Sequence, residues 1–229
     1  ESVLPDHSVL LPAGDLVFHR LFARSGETRM ARVKAIERLL EGGPLVLCAS
    51  VESVMSPISA PSVFQGIFKP AYHPESGKSR LKVGDVYEPG DLVRDLVRAG
   101  YERTAIVEAK GQFSSRGGII DIYSPTQEMP TRIEFFDDEV DSLRTFDPES
   151  QRSIENMEEL TLFPVKEWLF GEEELKHIGE NLKTELEELL QSLGKKKNQG
   201  ALLQENLGED IEKLRQGLSI DGIEKYLNY

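Results

Sequence analysis

The sequence predicts an α/β chain: a piece of parallel sheet, an inserted α+β domain with a mostly antiparallel sheet, and a helical segment to finish. Three observations predict it. Strand, helix, strand and helix patterns follow one another from Ser8 to the segment after Ser50, the order of a βαβ unit. From Thr104 to about Leu162 the pattern changes to period-two strands and turns. Glu172–Leu193 then carries Leu175, Ile178, Leu182, Leu186, Leu189 and Leu190 on one helical face.

Taken in order, Ser8–Leu11 (SVLL) reads as a short buried strand. Gly26–Glu41 places Met30, Val33, Ile36 and Leu39/Leu40 at helical spacing and stops at Gly42-Gly43. Pro44 restarts the chain into a strand at Leu45–Ala49, and Ser50 is a candidate cap for the next helix. Two strands are too few to complete a parallel sheet. Residues 56–80 are rich in Pro, Ser and Gly and read as a connector. Asp91–Ala99 reads as a helix with Leu92, Val93, Leu96 and Val97 inward, closed by Gly100. The insert that follows has its own apolar set in Ile106, Phe113, Ile120, Ile122, Ile133, Phe135, Leu143 and Phe146, and is expected to fold by itself. Phe163-Pro164 marks its end. After the helix 172–193, the loop GKKKNQG turns the chain into a second helix over Ala201–Gly217, and Ile220–Tyr226 adds a third.

Composition narrows the function classes. At 229 residues, with 39% hydrophobic and 29% charged content, the chain holds one large domain or two small ones. No run approaches the ~18 apolar residues that span a bilayer. No signal peptide opens the chain, and Glu1 in place of an initiator Met reads as a fragment or processed form. The single cysteine, Cys48, lies in PLVLCAS and reads as a small core residue; it has no internal disulfide partner, which fits a reducing cytoplasm. The net charge of −13 disfavours duplex DNA as a partner and suits a protein carrying positive charge. The run Lys195–Lys197 reads as a solvated loop.

Catalytic chemistry is hard to find. Gly77-Lys78-Ser79 has the tail of a phosphate loop, but Tyr72 stands where the first glycine belongs and Pro74 lies inside. His7, His19, His73 and His177 have no metal-ligand spacing. Asp137-Asp138-Glu139 with Asp141 lacks the spacing of a calcium loop and reads as a solvated hairpin tip. No Ser elbow, Cys–His pair or dinucleotide turn is present. The residues therefore predict no enzyme, no cofactor and no metal in this chain.

Residues 111–147 are the most informative stretch. Ile119–Tyr123 and Thr131–Phe136 alternate as two strands around the turn-rich SPTQEMP. In the second strand Ile133 and Phe135 point one way, and Arg132, Glu134 and Phe136 the other. Arg116 enters the neighbouring strand. An exposed Phe beside Arg is the composition of a protein–protein hot spot; the alternative is that another element covers that face.

GQFSSRGGIIDIYSP and RIEFFDDEVDSLRTFDPESQRSI, with LVRAGYERTAIVE before them and DGIEKYLNY at 221–229, resemble the N-terminal module of the transcription-repair coupling factors, itself similar to the excision-repair helicase UvrB. The resemblance covers nearly the whole chain. It implies a RecA-like lobe interrupted by an insert: residues 1–79 the later half of a lobe piece plus connector, 80–162 a UvrA-binding insert, and 163–229 the returning lobe piece. It implies that the earlier lobe segment, bearing a degenerate phosphate loop, is missing. It also carries the docking residues for UvrA onto Arg116, Arg132 and Phe136, the face that strand parity had already selected. Gly117 and Gly118 read as structural, permitting a bulge or close approach. The whole family protein, by the same likeness, is an ATP- and Mg-dependent DNA translocase in the cytoplasm that displaces stalled RNA polymerase. A fragment of a UvrB-type helicase that binds damaged DNA is the rival. UvrB inserts a tyrosine-rich hairpin where this chain has DLVFHRLFARSGETR, without a tyrosine, so base stacking of that kind is not expected.

Overall fold

The computed structural model describes residues 8–13, 26–56, 58–74, 78–193, 197–220 and 223–226. His7, His19, Gly77, Lys195 and Lys196, singled out above, lie outside the described residues, as do the ends of DGIEKYLNY and most of DLVFHRLFARSGETR. The chain divides into two compact units, Glu1–Leu169 and Phe170–Tyr229. The fold is α/β with mixed sheets.

In the first unit, β1 (Ser8–Leu11), α1 (Gly26–Leu40) and β2 (Val46–Ala49) form the expected βαβ, with β1 and β2 paired in parallel from Ser8↔Val46 to Leu11↔Ala49. Helix α1 buries Val33, Ala35 and Ile36, and Gly42 and Gly43 end it with φ of 71° and 88°, conformations that cost glycine nothing. Two expectations fail here. β1 is not a buried strand, since Leu10 is exposed, and Cys48 is exposed rather than core. Among the described residues this sheet has two strands; it buries Leu11 but leaves Leu10, Val46 and Leu47 exposed.

Ser50 caps α2 (Val51–Met55), its Oγ accepting from Ser53 N–H at 3.2 Å. The stretch 56–80 is more than a connector. It holds α3 (Pro61–Gly66), a 3₁₀ turn at Lys69–Ala71, β3 (Tyr72–His73) and the start of β4 (Lys78–Lys82). Phe64, Phe68 and Ala71 are buried. Proline and glycine punctuate these short elements, while aromatics at 64 and 68 supply the apolar surface that a free linker lacks.

Helix α4 (Pro89–Arg98) buries Leu92 and Leu96 but leaves Val97 exposed, and Gly100 follows it at φ 89°. Next come β5 (Glu102–Arg103), β6 (Gln112–Arg116), β7 (Ile119–Ile122), β8 (Thr131–Phe136), β9 (Glu139–Phe146) and β10 (Ser153–Met157). They form a six-stranded sheet in the order β10-β9-β8-β7-β6-β5, antiparallel except for β5–β6. Strand β11 (Glu159–Leu162) pairs with β4, which also pairs with β3. Leu92, Leu96, Phe113, Ile120, Ile122, Ile133 and Leu143 share one buried cluster with Phe68, Leu81 and Leu160. Ile106, expected in that core, is exposed. The cluster also includes Ala71 and Val165, which lie outside residues 80–162.

A second cluster joins Val33 and Ile36 to Phe64, Phe163 and Leu169, with the Phe64 and Phe163 rings stacked at 5.7 Å. Beside it, buried Arg32 of α1 donates to both Glu167 carboxylate oxygens at 2.8 Å. The segment Phe163–Leu169 thus ties the parallel piece to the rest of the unit.

The second unit is helical. α5 (Glu172–Leu193) buries Leu175, Ile178, Leu182 and Leu186, whereas Leu189 is exposed. α6 runs over Lys197–Arg215, starting four residues before the expected Ala201 and stopping before Gly217, whose φ is 74°. A Cβ at Gly179 would lie 2.7 Å from Arg215 N, so only glycine lets the two helices cross this closely. The third expected helix is a 3₁₀ turn, Ile223–Tyr226, fixed by Tyr226 O–H donating to Asp210 at 2.8 Å.

Candidate protein-docking face

Strands β6, β7 and β8 present one face of the six-stranded sheet away from the main cluster. Two glycines connect β6 to β7: Gly117 sits at φ 61°, and Gly118 carbonyl accepts from Phe135 N–H at 2.8 Å. A Cβ on Gly118 would meet Phe135 O at 3.0 Å, which fits the close approach read from the sequence. The turn delivers Arg116, the last residue of β6, opposite Ile119.

Parity along β8 is as expected. Ile133 is fully buried and Phe135 packs partly against the main cluster, while Arg132, Glu134 and Phe136 lie on the opposite side. The register slips between Glu134 and Phe135, where β9 passes from Ser142 to Val140 and bulges at Asp141. The hairpin tip follows at once, with Asp137 at φ 58°. Phe136 is 78% exposed, so no element of the described chain covers it.

Between the three predicted residues stands one that sequence reasoning passed over. Asp121 alternates with Ile120 and Ile122, so its side chain leaves the core side and enters this face. It lies opposite Ser114 on β6 and Arg132 on β8. Its carboxylate accepts from Arg132 Nε at 2.7 Å, from Arg132 Nη2 at 2.9 Å and from Arg116 Nη2 at 3.1 Å. The Arg132 guanidinium also lies 5.0 Å from the centre of the Phe146 ring. The signal was present in IIDI: a lone carboxylate inside an apolar strand demands a cationic partner across the sheet.

The two arginines therefore differ. Arg132 is only 18% exposed at its side chain, and hydrogen bonding to Asp121 holds its guanidinium above the ordinary arginine value. Arg116 is 57% exposed and gives Asp121 a single bond. Arg132 is thus part of a gripped pair, not the free surface residue that parity alone suggested. Further along the face, Ser142 Oγ donates to Glu134 at 2.8 Å and Arg144 lies 3.7 Å from the same carboxylate. Around Asp121 the two arginines leave one net positive charge, whereas the Phe136 end of the face is acidic, with Glu139 opposite Phe136 and Asp137 and Asp138 at the hairpin tip. Ile119 and Val86 add exposed apolar surface; Val86 bridges to Glu139, the partner of Phe136.

Elsewhere the structure offers less. Lys78 and Ser79 lie on β4, Ser79 is buried, and Lys78 is ion-paired with Glu41. A phosphate loop needs these residues at a loop-to-helix junction, so they do not fit a nucleotide. Among the described residues, no group of three or more His, Cys, Asp or Glu is placed to hold a metal, and no helix is long and apolar enough to cross a membrane.

Residues 80–168 match the UvrB interaction domain family, and all of the face described above falls within them. The chain is 37% identical to the transcription-repair-coupling factor of Bacillus subtilis over 229 residues, 100% of this chain and 18% of that relative. It is 34% identical over 149 residues to the transcription-repair-coupling factor of Myxococcus xanthus, 65% of this chain and 12% of that relative. With UvrABC system protein B of Synechocystis it shares 27% identity over 221 residues, 96% of this chain and 31% of the relative. The chain thus spans less than a fifth of the coupling factors that it matches.

Proposed function

The chain is homologous along its whole length to one stretch of the transcription-repair-coupling factors, with a UvrB interaction domain at residues 80–168, and on that premise we propose that it is the module that recruits UvrA to transcription-blocking lesions. Arg116, Arg132 and Phe136 are the proposed contacts. The observation that carries this reading is Phe136, a large aromatic left 78% exposed on the same sheet face as an arginine pair, inside the family-matched segment. Exposed aromatics next to arginine, ringed by polar groups, are what anchor protein interfaces. The Arg116, Arg132 and Asp121 trio carries one net positive charge, which suits a carboxylate on the partner surface.

The remaining assignments belong to the same proposal. Residues 1–79 and 163–229 are pieces of a RecA-like lobe, and 80–162 is the insert, although the compact packing of the first unit runs on to Leu169. The segment itself is not an enzyme and takes no cofactor. The whole protein uses ATP and Mg to translocate on duplex DNA and displace stalled RNA polymerase in the cytoplasm. Likeness to UvrABC system protein B over 96% of the chain favours one second reading, a damaged-DNA-binding helicase fragment. The acidic balance and the tyrosine-free stretch at 15–29 weigh against it.

Calorimetry with purified UvrA tests the proposal. Binding at moderate salt is expected, weakened at least tenfold by Phe136→Ala, a loss of about 1.4 kcal/mol or more. No binding by the unmodified chain, together with a gel shift on damaged duplex, would hand the case to the second reading.

A further inference from the structure

A fully buried carboxylate on the outer side of a sheet calls for an explanation. Ile120 and Ile122 already fill the core side of β7, so Asp121 contributes nothing to that packing. Burying its charge is unfavourable unless cations compensate it, and a neutral residue there would spare the fold that demand. What Asp121 does is grip. It takes Nε and Nη2 of Arg132 together, which fixes the plane of that guanidinium, and it holds Arg116 through one Nη2. A guanidinium is a rigid planar fork on a long flexible stem; ordering the stem in advance removes an entropy loss on binding.

We infer that Asp121 is a positioning residue of the docking face: it orients Arg116 and Arg132 in advance for a carboxylate-bearing partner surface. The inference rests on the UvrA-recruiting function proposed above and deepens it. Asp121 touches no partner itself. It also leaves the trio with one net positive charge, two arginines less one aspartate, which relieves repulsion between the arginines.

The test is calorimetry with purified UvrA on four proteins: the unmodified chain, Asp121→Asn, Arg116→Gln and the double variant Asp121→Asn/Arg116→Gln. Asparagine keeps the shape but loses the charge and one acceptor. Asp121→Asn is expected to weaken binding roughly tenfold in the unmodified background and at least about threefold less in the Arg116→Gln background, because its effect passes through the arginine. Equal losses in both backgrounds would overturn the inference. So would normal binding by Asp121→Asn when Arg116→Gln binds poorly. No binding by the unmodified chain would instead defeat the recruiting function. Arginine side-chain NMR on the unmodified chain needs no variant to fold: slow Cζ–Nε rotation at both Arg116 and Arg132 is expected, and fast averaging at both would refute the grip.

Discussion

In the parallel pair β1–β2, Leu10, Val46 and Leu47 stand 66%, 51% and 41% exposed, whereas Ile120, Ile122 and Ile133 of the antiparallel sheet are all 0% exposed. The residue types are nearly the same. What differs is cover. Helix α4 and the three-stranded sheet contribute Leu92, Leu96, Leu81 and Leu160 to the cluster beneath β7 and β8. Nothing in the described chain does this for both faces of β1–β2. An apolar strand specifies a face that can be buried; only a second layer buries it.

The sharpest test of that contrast is truncation on each side. Ile133→Ala should cost ~2–5 kcal/mol in denaturant unfolding, because it opens a cavity in a sealed core. Leu47→Ala should stay within about 0.5 kcal/mol. Equal losses would mean that the parallel pair is covered in solution.

Next in size is the contrast inside the docking face. Arg132→Ala leaves Asp121 buried with only Arg116 against it, and should lower stability by about 3 kcal/mol. Arg116→Ala removes one exposed partner, for about 1 kcal/mol or less. Phe136→Ala should change the melting transition least of the three, since its ring already faces water. The three truncations are therefore expected to differ in stability, because Arg132 is ion-paired with a buried carboxylate and Phe136 is 78% exposed. A thermal melt of each variant ranks them.

A segment cut to residues 80–162 should melt below one spanning 58–169, because Phe68, Ala71 and Val165 leave the main cluster. Matching melts would show that the insert needs no neighbours. Cys48 should react with a thiol reagent under native conditions without prior unfolding, as its exposure requires. Protection until denaturation would overturn the exposed reading of β2.

The smallest effect concerns Glu37 on α1. Burial, reinforced by Glu41, raises its carboxyl above the ordinary value. A raised carboxyl binds its proton more tightly when folded, so the ionised form destabilises the fold at neutral pH and the deficit fades as pH falls through the raised value. Glu37→Gln should therefore raise the melting temperature slightly at pH 7, with the gain vanishing in mild acid.

Much of this was legible from spacing. The helix of Glu172–Leu193, the break at Gly42-Gly43 and the parity that separates Ile133 from Arg132 and Phe136 all follow from backbone periods of 3.6 and 2. The misses share a cause. Phe64 and Phe68 looked like parts of a linker because their partners lie far along the chain; Phe163 stacks on Phe64 ninety-nine residues later. Cys48 looked like core because its neighbours are apolar, and Leu189 because it continued a stripe.

The sequence alone determined which residues share a face, since that is a property of a few consecutive dihedrals. The tertiary structure decided which faces are sealed and which charges are held. Asp121 shows why: its alternation with Ile120 and Ile122 is local, but its compensation depends on β6 and β8 bringing Arg116 and Arg132 within about 3 Å, the reach of a hydrogen bond. Strand pairing set that distance, and no spacing along one strand encodes it.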